Sequence, residues 1–216
     1  MLSVIEGRVL GCLLEKERTT PDQYPLTLNA LVSACNQSTS REPVMHLADH
    51  EVDAVLAELK AEGLLRFVHP SHGRSVTRYR QVADEAWGLE APAAAVVAVL
   101  LLRGPQTAAE LRARTERLHP FDTVGEVDAV LQDLAAAGQV RLLERMPGQK
   151  EARWQQLLAE EAEVVPAPAA AQAGAVGDHD GAARSAGGSV ASMSARVAEL
   201  EGRVARLEAA LADFLT

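Results

Sequence analysis

Aromatic residues are scarce. Three Phe, two Trp and two Tyr make up 3% of the 216 residues, so any core must be built from Leu, Val and Ala. Cysteine is scarcer still. Two residues, Cys12 and Cys35, cannot form a disulfide scaffold, and nothing has the spacing of a four-ligand zinc module. No apolar run approaches the roughly 18 residues of a membrane span. Positive charge is in deficit: 21 basic against 30 acidic residues leave a net of -9. That argues against a generic nucleic-acid coat or a binder of anionic membranes, while leaving room for a local basic patch. The first six residues, Met1 to Glu6, have neither a basic n-region nor an apolar h-region. Together these absences predict a reduced, cytoplasmic protein.

Catalytic signatures are missing too. There is no G-x-S-x-G, no P-loop and no G-x-G-x-x-G. His69-Pro70-Ser71-His72 gathers His and Ser in a turn, with no third group to orient a base. His46 and His50 have the spacing of a helical metal pair, but His46 precedes the expected helix start, so solvated histidines are the plainer reading. Cys12, among Leu10, Leu13 and Leu14, reads as a small buried thiol. The chain is therefore read as non-enzymatic, with no metal and no cofactor.

What is present is a repeat. Glu51-Val52-Asp53-Ala54-Val55-Leu56 recurs as Glu126-Val127-Asp128-Ala129-Val130-Leu131, an offset of 75. The offset persists through Gly63 and Gly138, Arg66 and Arg141, Arg78 and Arg153, and Tyr79 and Trp154. Upstream it becomes 80, matching Thr27 to Thr107 and Leu31 to Leu111, and then 87, matching Val9 to Val96. The first copy thus has longer connections between its helices.

Each copy reads as three helices and a hairpin. Ser3-x-x-Glu6 is a capping box opening the first helix, and Thr27 opens the second. Asp49 is the expected cap of the third, whose Val52, Val55, Leu56 and Leu59 follow the spacing of one buried face. Gly63 then permits a left-handed stop, and two strands follow, over residues 64–68 and 75–82. In the second copy a helix is expected over residues 94–103, Thr107 caps the next, and Thr123-x-x-Glu126 is a second box. Gly138 stops the third helix, and the second hairpin turns at Met146-Pro147-Gly148-Gln149. Three helices and a hairpin form the winged-helix plan, a helix-turn-helix with one wing. The expected fold is α+β, mostly α: two tandem winged helix-turn-helix domains, over residues 1–86 and 87–158.

The remainder differs in composition. Residues 159–189 are rich in Ala, Pro, Gly and Glu and lack Leu, Ile and Phe, which predicts a flexible linker. Residues 190–216 carry four heptads, with Val190, Val197, Val204 and Leu211 at a and Met193, Leu200, Leu207 and Phe214 at d. Arg196 and Arg203 at g face Glu201 and Glu208 at e of a parallel partner, so a coiled-coil homodimer is expected.

The stretches Tyr24-Pro25-Leu26-Thr27-Leu28-Asn29-Ala30-Leu31-Val32-Ser33-Ala34-Cys35-Asn36-Gln37, Arg41-Glu42-Pro43-Val44, Leu102-Arg103-Gly104-Pro105-Gln106-Thr107 and Pro147-Gly148-Gln149-Lys150-Glu151-Ala152-Arg153 resemble the YceH-like proteins, an uncharacterised bacterial family. The resemblance covers the repeated part, from about Val4 to Leu158, and implies tandem winged-helix domains. It brings no activity, ligand or site residue.

Two functions follow, from different classes. The third helices, which enter the major groove in winged-helix proteins, are acidic here. Residues 49–62 carry Asp49, Glu51, Asp53, Glu58 and Glu62 against Lys60, and the second copy carries Asp122, Glu126, Asp128 and Asp133 with no basic residue. Phosphates repel such helices. The wings are basic. Arg74, Arg78 and Arg80 alternate onto one strand face, with Arg66 on the partner strand; Arg141, Lys150 and Arg153 lie in the second wing. The first reading is a dimeric DNA-associated regulator that grips phosphates through Arg66, Arg74, Arg78, Arg80, Arg141, Lys150 and Arg153. The second is a protein-interaction adaptor that docks partners on its acidic helices and does not touch DNA.

Overall fold

The computed structural model describes residues 1–69, 76–145 and 148–161. The expected linker beyond its first three residues, 159–161, the coiled-coil positions Val190, Met193, Val197, Leu200, Val204, Leu207, Leu211 and Phe214, and the turn residues Arg74, Met146 and Pro147 lie outside them. About half of the described residues are helical, and two small antiparallel sheets make the protein α+β.

The first repeat runs α1 (Val4–Thr19), β1 (Leu26–Thr27), α2 (Leu28–Cys35), α3 (Asp49–Ala61), β2 (Leu65–Val68) and β3 (Arg78–Gln81). A short helix α4 (Ala83–Trp87) leads to the second repeat: α5 (Ala91–Arg103), α6 (Ala108–Thr115), α7 (Val124–Ala136), β4 (Val140–Leu142) and β5 (Trp154–Gln156). The sequence offsets reappear as geometry. Helices α2 and α6 are displaced by 80 residues at both ends, and α3 and α7 by 75. The hairpin register is shared, with Leu65 opposite Gln81 and Val140 opposite Gln156. Even the third strand is echoed: Leu26 pairs with Tyr79 in the first sheet, and Gln106 bridges Trp154 in the second.

Local chemistry sets the boundaries. Ser3 Oγ accepts from the Glu6 N–H while the Glu6 carboxylate accepts from the Ser3 N–H at 2.7 Å, closing the expected box. Thr107 and Glu110 do the same for α6. Gly63 and Gly138 stop α3 and α7 with φ of 74° and 72°. Three expectations need correction. Asp49 is the first residue of α3, not its cap; Ala48 is the cap, and its N–H is met by the Glu51 carboxylate at 2.8 Å. Only half of the Thr123 box forms, because the Glu126 carboxylate turns to the Asp122 N–H at 3.2 Å. Helix α5 starts at Ala91 rather than residue 94, since Pro92 in a first turn costs no helical hydrogen bond. Helix α4 was not anticipated.

Both repeats belong to one compact unit, and α1 against α5 is its most extensive helix contact. Helix α5 is apolar nearly all round, with Ala94 to Leu100 and Leu102 buried, as a helix enclosed by others must be. Gly7 and Gly11 of α1 make the close approach fit. A Cβ at Gly11 would lie 3.0 Å from Leu102 Cγ, and one at Gly7 would lie 2.7 Å from Ala159 Cβ. Ala159 is there because the end of the second repeat returns to the start of the first. The Leu2 N–H donates to Leu158 O at 3.0 Å, and the Glu160 N–H to Leu2 O at 2.8 Å.

Beneath the first repeat lies a buried charged cluster that sequence reasoning did not identify. Arg41, with a fully buried side chain, forks onto Glu15 at 2.8 and 3.2 Å. It also donates to Ala34 O, Ser40 O and Gln37 Oε1, so it clamps the 36–48 loop onto α1 and α2. Burial alone would raise the Glu15 carboxyl; the Arg41 hydrogen bonds and charge, with Lys16, outweigh it and hold it below its ordinary value.

Candidate nucleic-acid interface

The first hairpin presents its charges through strand alternation. Tyr79 of β3 points inward at 7% exposure and meets Phe67 of β2 edge-on, with centroids 5.1 Å apart. Its phenol is pushed up, first by burial and then by Asp53 of α3. Arg78 and Arg80 therefore take the other face. Lys60 of α3 sits 4.5 Å over the Phe67 ring and adds a cation beside the hairpin.

The basic residues of the two wings divide into two kinds. Arg78 and Arg153, which match in the repeat, do the same structural work. Arg78 Nη1 donates to Pro25 O at 2.8 Å, and Arg153 Nη1 to Pro105 O at 2.9 Å. Pro25 and Pro105 are themselves related by the offset of 80. Arg153 also forks onto Glu110 at 2.8 and 3.3 Å. These two arginines hold the hairpin to the segment that precedes α2 or α6.

Arg66 and Arg80 differ. They are Cα partners across β2 and β3, so two guanidiniums stand directly opposite one another. One exposed carboxylate, Glu85 of α4, serves both, at 3.6 Å from Arg66 and 3.8 Å from Arg80. Both distances are long for a hydrogen-bonded ion pair. The side chains are 63% and 40% exposed. The equivalent pair in the second hairpin is Arg141 opposite Gln155, and there Arg141 Nε donates to Gln155 Oε1 at 2.6 Å. The second hairpin has satisfied internally what the first leaves as a cation pair. Lys150 is exposed, and its carbonyl accepts from Arg145 at 3.2 Å.

The rest of the surface is acidic where expected. Asp49, Asp53, Glu58 and Glu62 on and after α3 are exposed, as are Glu126, Asp128 and Asp133 on α7. His46, His50 and His69 are exposed, and no group of three or more potential metal-ligating side chains occurs among the described residues. Cys12 and Cys35 are both buried, and the hydrogen bond between the two thiols, with burial, pushes the Cys35 thiol well up. No helix among the described residues is long and apolar enough to cross a membrane.

Comparison with known proteins gives a consistent result. Residues 2–149 match the family described as a protein of unknown function, DUF480. The chain is 49% identical over 176 residues to a UPF0502 protein of Solibacter usitatus, covering 81% of this chain and 84% of that protein. It is 47% identical over 163 residues to a UPF0502 protein of Dechloromonas aromatica, covering 74% and 75%. A UPF0502 protein of Chromobacterium violaceum is 47% identical over 170 residues, covering 78% and 77%.

Proposed function

We propose that this chain, which belongs to the DUF480 family of proteins of unknown function, is a non-enzymatic tandem winged-helix protein that associates with DNA phosphates through its first hairpin. The order of three helices and a hairpin in each repeat supports the winged-helix assignment. The observation that carries the DNA reading is the cross-strand pair of Arg66 and Arg80. Like charges directly opposite each other on a sheet face cost stability, and one carboxylate shared at long range does not offset both. A phosphate placed between them does. The contact is to the backbone and carries no base readout, in keeping with acidic third helices that phosphates repel. Arg78 and Arg153 support the hairpins rather than the ligand. Two copies joined through the heptads of residues 190–216 would present two such hairpins, and the resulting avidity compensates for weak single contacts.

A second reading rests on the exposed acidic faces of α3 and α7, which suit a protein-interaction adaptor without DNA contact. Fluorescence anisotropy of the full chain with a labelled random duplex, at low and moderate salt, separates the two. DNA association predicts binding that falls steeply with salt, is lost in Arg66→Gln/Arg80→Gln, and survives in Arg141→Gln. No binding of the wild-type chain at low salt, or full binding by the double variant, overturns it and favours the adaptor.

A further inference from the structure

A wide cleft lies elsewhere, between the two repeats. It encloses about 1540 Å³, counting its open mouth. The C-terminal end of α1 and residues 37–40 form one wall, and the ends of α5 and α6 form the other. Four cations line it: Lys16 from the first repeat, and Arg103, Arg114 and Arg117 from the second.

Two of the carboxylates nearby are already committed. Glu15 is gripped by Arg41 at 2.8 Å, with Lys16 at 3.1 Å. Glu110, the one carboxylate near Arg114, lies 3.7 Å from it while holding Arg153 at 2.8 Å and the Thr107 N–H at 2.9 Å. Arg103 bonds a neutral partner, Ser40 Oγ. Its guanidinium is pulled down by burial and then by the charges of Arg114 and Arg41. Arg117 is exposed and bonds no carboxylate among the described residues. Glu116 is the remaining acidic lining residue, and it too is exposed. Three guanidiniums gathered on one wall, facing an ammonium on the other and outnumbering the carboxylates of the lining, describe a receptor for an anion.

We infer that this inter-repeat cleft binds a small polyanion of the phosphate-ester class, bridged by Lys16 from one repeat and Arg103, Arg114 and Arg117 from the other. The forked guanidinium geometry matches phosphate oxygens, and the Ser38 and Thr39 hydroxyls on the rim supply neutral donors. The site is separate from the first hairpin and does not depend on the DNA reading.

Inorganic pyrophosphate is the probe, titrated calorimetrically into the full chain in chloride buffer at constant ionic strength. Saturable binding is expected. Arg114→Gln and Arg117→Gln should each weaken it by about tenfold, the loss of one charge-assisted contact. Arg117 makes no bond among the described residues, so that variant keeps the fold and tests the charge alone. Arg66→Gln/Arg80→Gln should bind pyrophosphate as wild type does. No saturable binding, or unchanged affinity in Arg117→Gln and Arg114→Gln, overturns the inference. So does loss of duplex binding in these two variants without loss of pyrophosphate binding, because the cleft cations would then serve nucleic acid alone.

Discussion

Replacing Arg41 by Met tests the buried cluster that holds the first repeat together. Arg41 spends all five of its donors: two on Glu15, and one each on Ala34 O, Ser40 O and Gln37 Oε1. Met matches the length of the side chain but leaves Glu15, whose side chain is 13% exposed, with Lys16 alone. Breaking a buried pair by removing one partner costs about 3–5 kcal/mol. Lys16 remains at 3.1 Å and is 18% exposed, which places the expected loss near the low end, about 3 kcal/mol. That is a large part of a typical stability of roughly 5–15 kcal/mol. The double replacement Arg41→Met/Glu15→Met removes the orphaned charge and should recover about 2 kcal/mol of the loss. The pH dependence has a definite sign. In the wild-type protein the folded-state pKa of Glu15 is depressed, so its contribution is present above the unfolded value, about 4.3, and fades as pH falls through the folded one. Without Arg41 the burial that remains raises the carboxyl, and protonation relieves the folded state. The gap between variant and wild type should therefore narrow from pH 7 toward pH 4.5. Urea unfolding followed by far-ultraviolet circular dichroism at both pH values measures it. A variant within about 1 kcal/mol of wild type at pH 7, or a gap unchanged at the lower pH, refutes the reasoning.

Two further predictions concern packing and charge. Gly7→Ala should destabilise by about 1 kcal/mol in urea, because overpacking against Ala159 exceeds the helix-propensity gain, while Gly125→Ala, whose Cβ would meet nothing nearer than Thr123 Oγ1 at 3.7 Å, should be neutral or stabilising by up to about 1 kcal/mol. Equal effects of the two would show that the α1–α5 contact yields freely. Glu85→Gln releases both Arg66 and Arg80 from their shared carboxylate, so duplex affinity in the anisotropy assay should rise and its logarithmic salt slope steepen by up to about 1; an unchanged slope would place the phosphate contact elsewhere.

Much of the skeleton was legible because its signals are local. The caps at Ser3, Thr27 and Thr107 and the stops at Gly63 and Gly138 act within one turn of chain. The repeat then supplied a second, independent copy of each. Helix α4 was missed because five residues carry no readable period. The Arg41–Glu15 clamp was missed because it joins residues 26 apart through a loop with no regular pattern. The wing arginines, alike in sequence, differ in their partners once folded. One signal did separate them: Arg78 and Arg153 repeat together with Pro25 and Pro105, whereas Arg80 has Gln155 at its equivalent position. A residue kept in both copies beside a kept proline belongs to the fold. The pairing that explains it, between a guanidinium and a prolyl carbonyl far away in sequence, becomes visible only once the chain is folded.

The two hairpins thus serve as each other's control. They share register, strand order and the arginine that braces them against the preceding proline. A hairpin of this kind folds with Arg opposite Gln, so stability alone does not call for Arg opposite Arg. The first copy nevertheless places two cations face to face, more than a third exposed, over one distant carboxylate. The overall charge of -9 does not cancel this arrangement. Screening confines surface fields to about 10 Å at moderate salt, so a ligand approaching this face of the hairpin senses Arg66, Arg80 and their single shared carboxylate, Glu85, more than the acidic residues farther away. A protein built this way would hold nucleic acid by its edge, which is why salt dependence, rather than a search for a preferred base sequence, is the informative measurement.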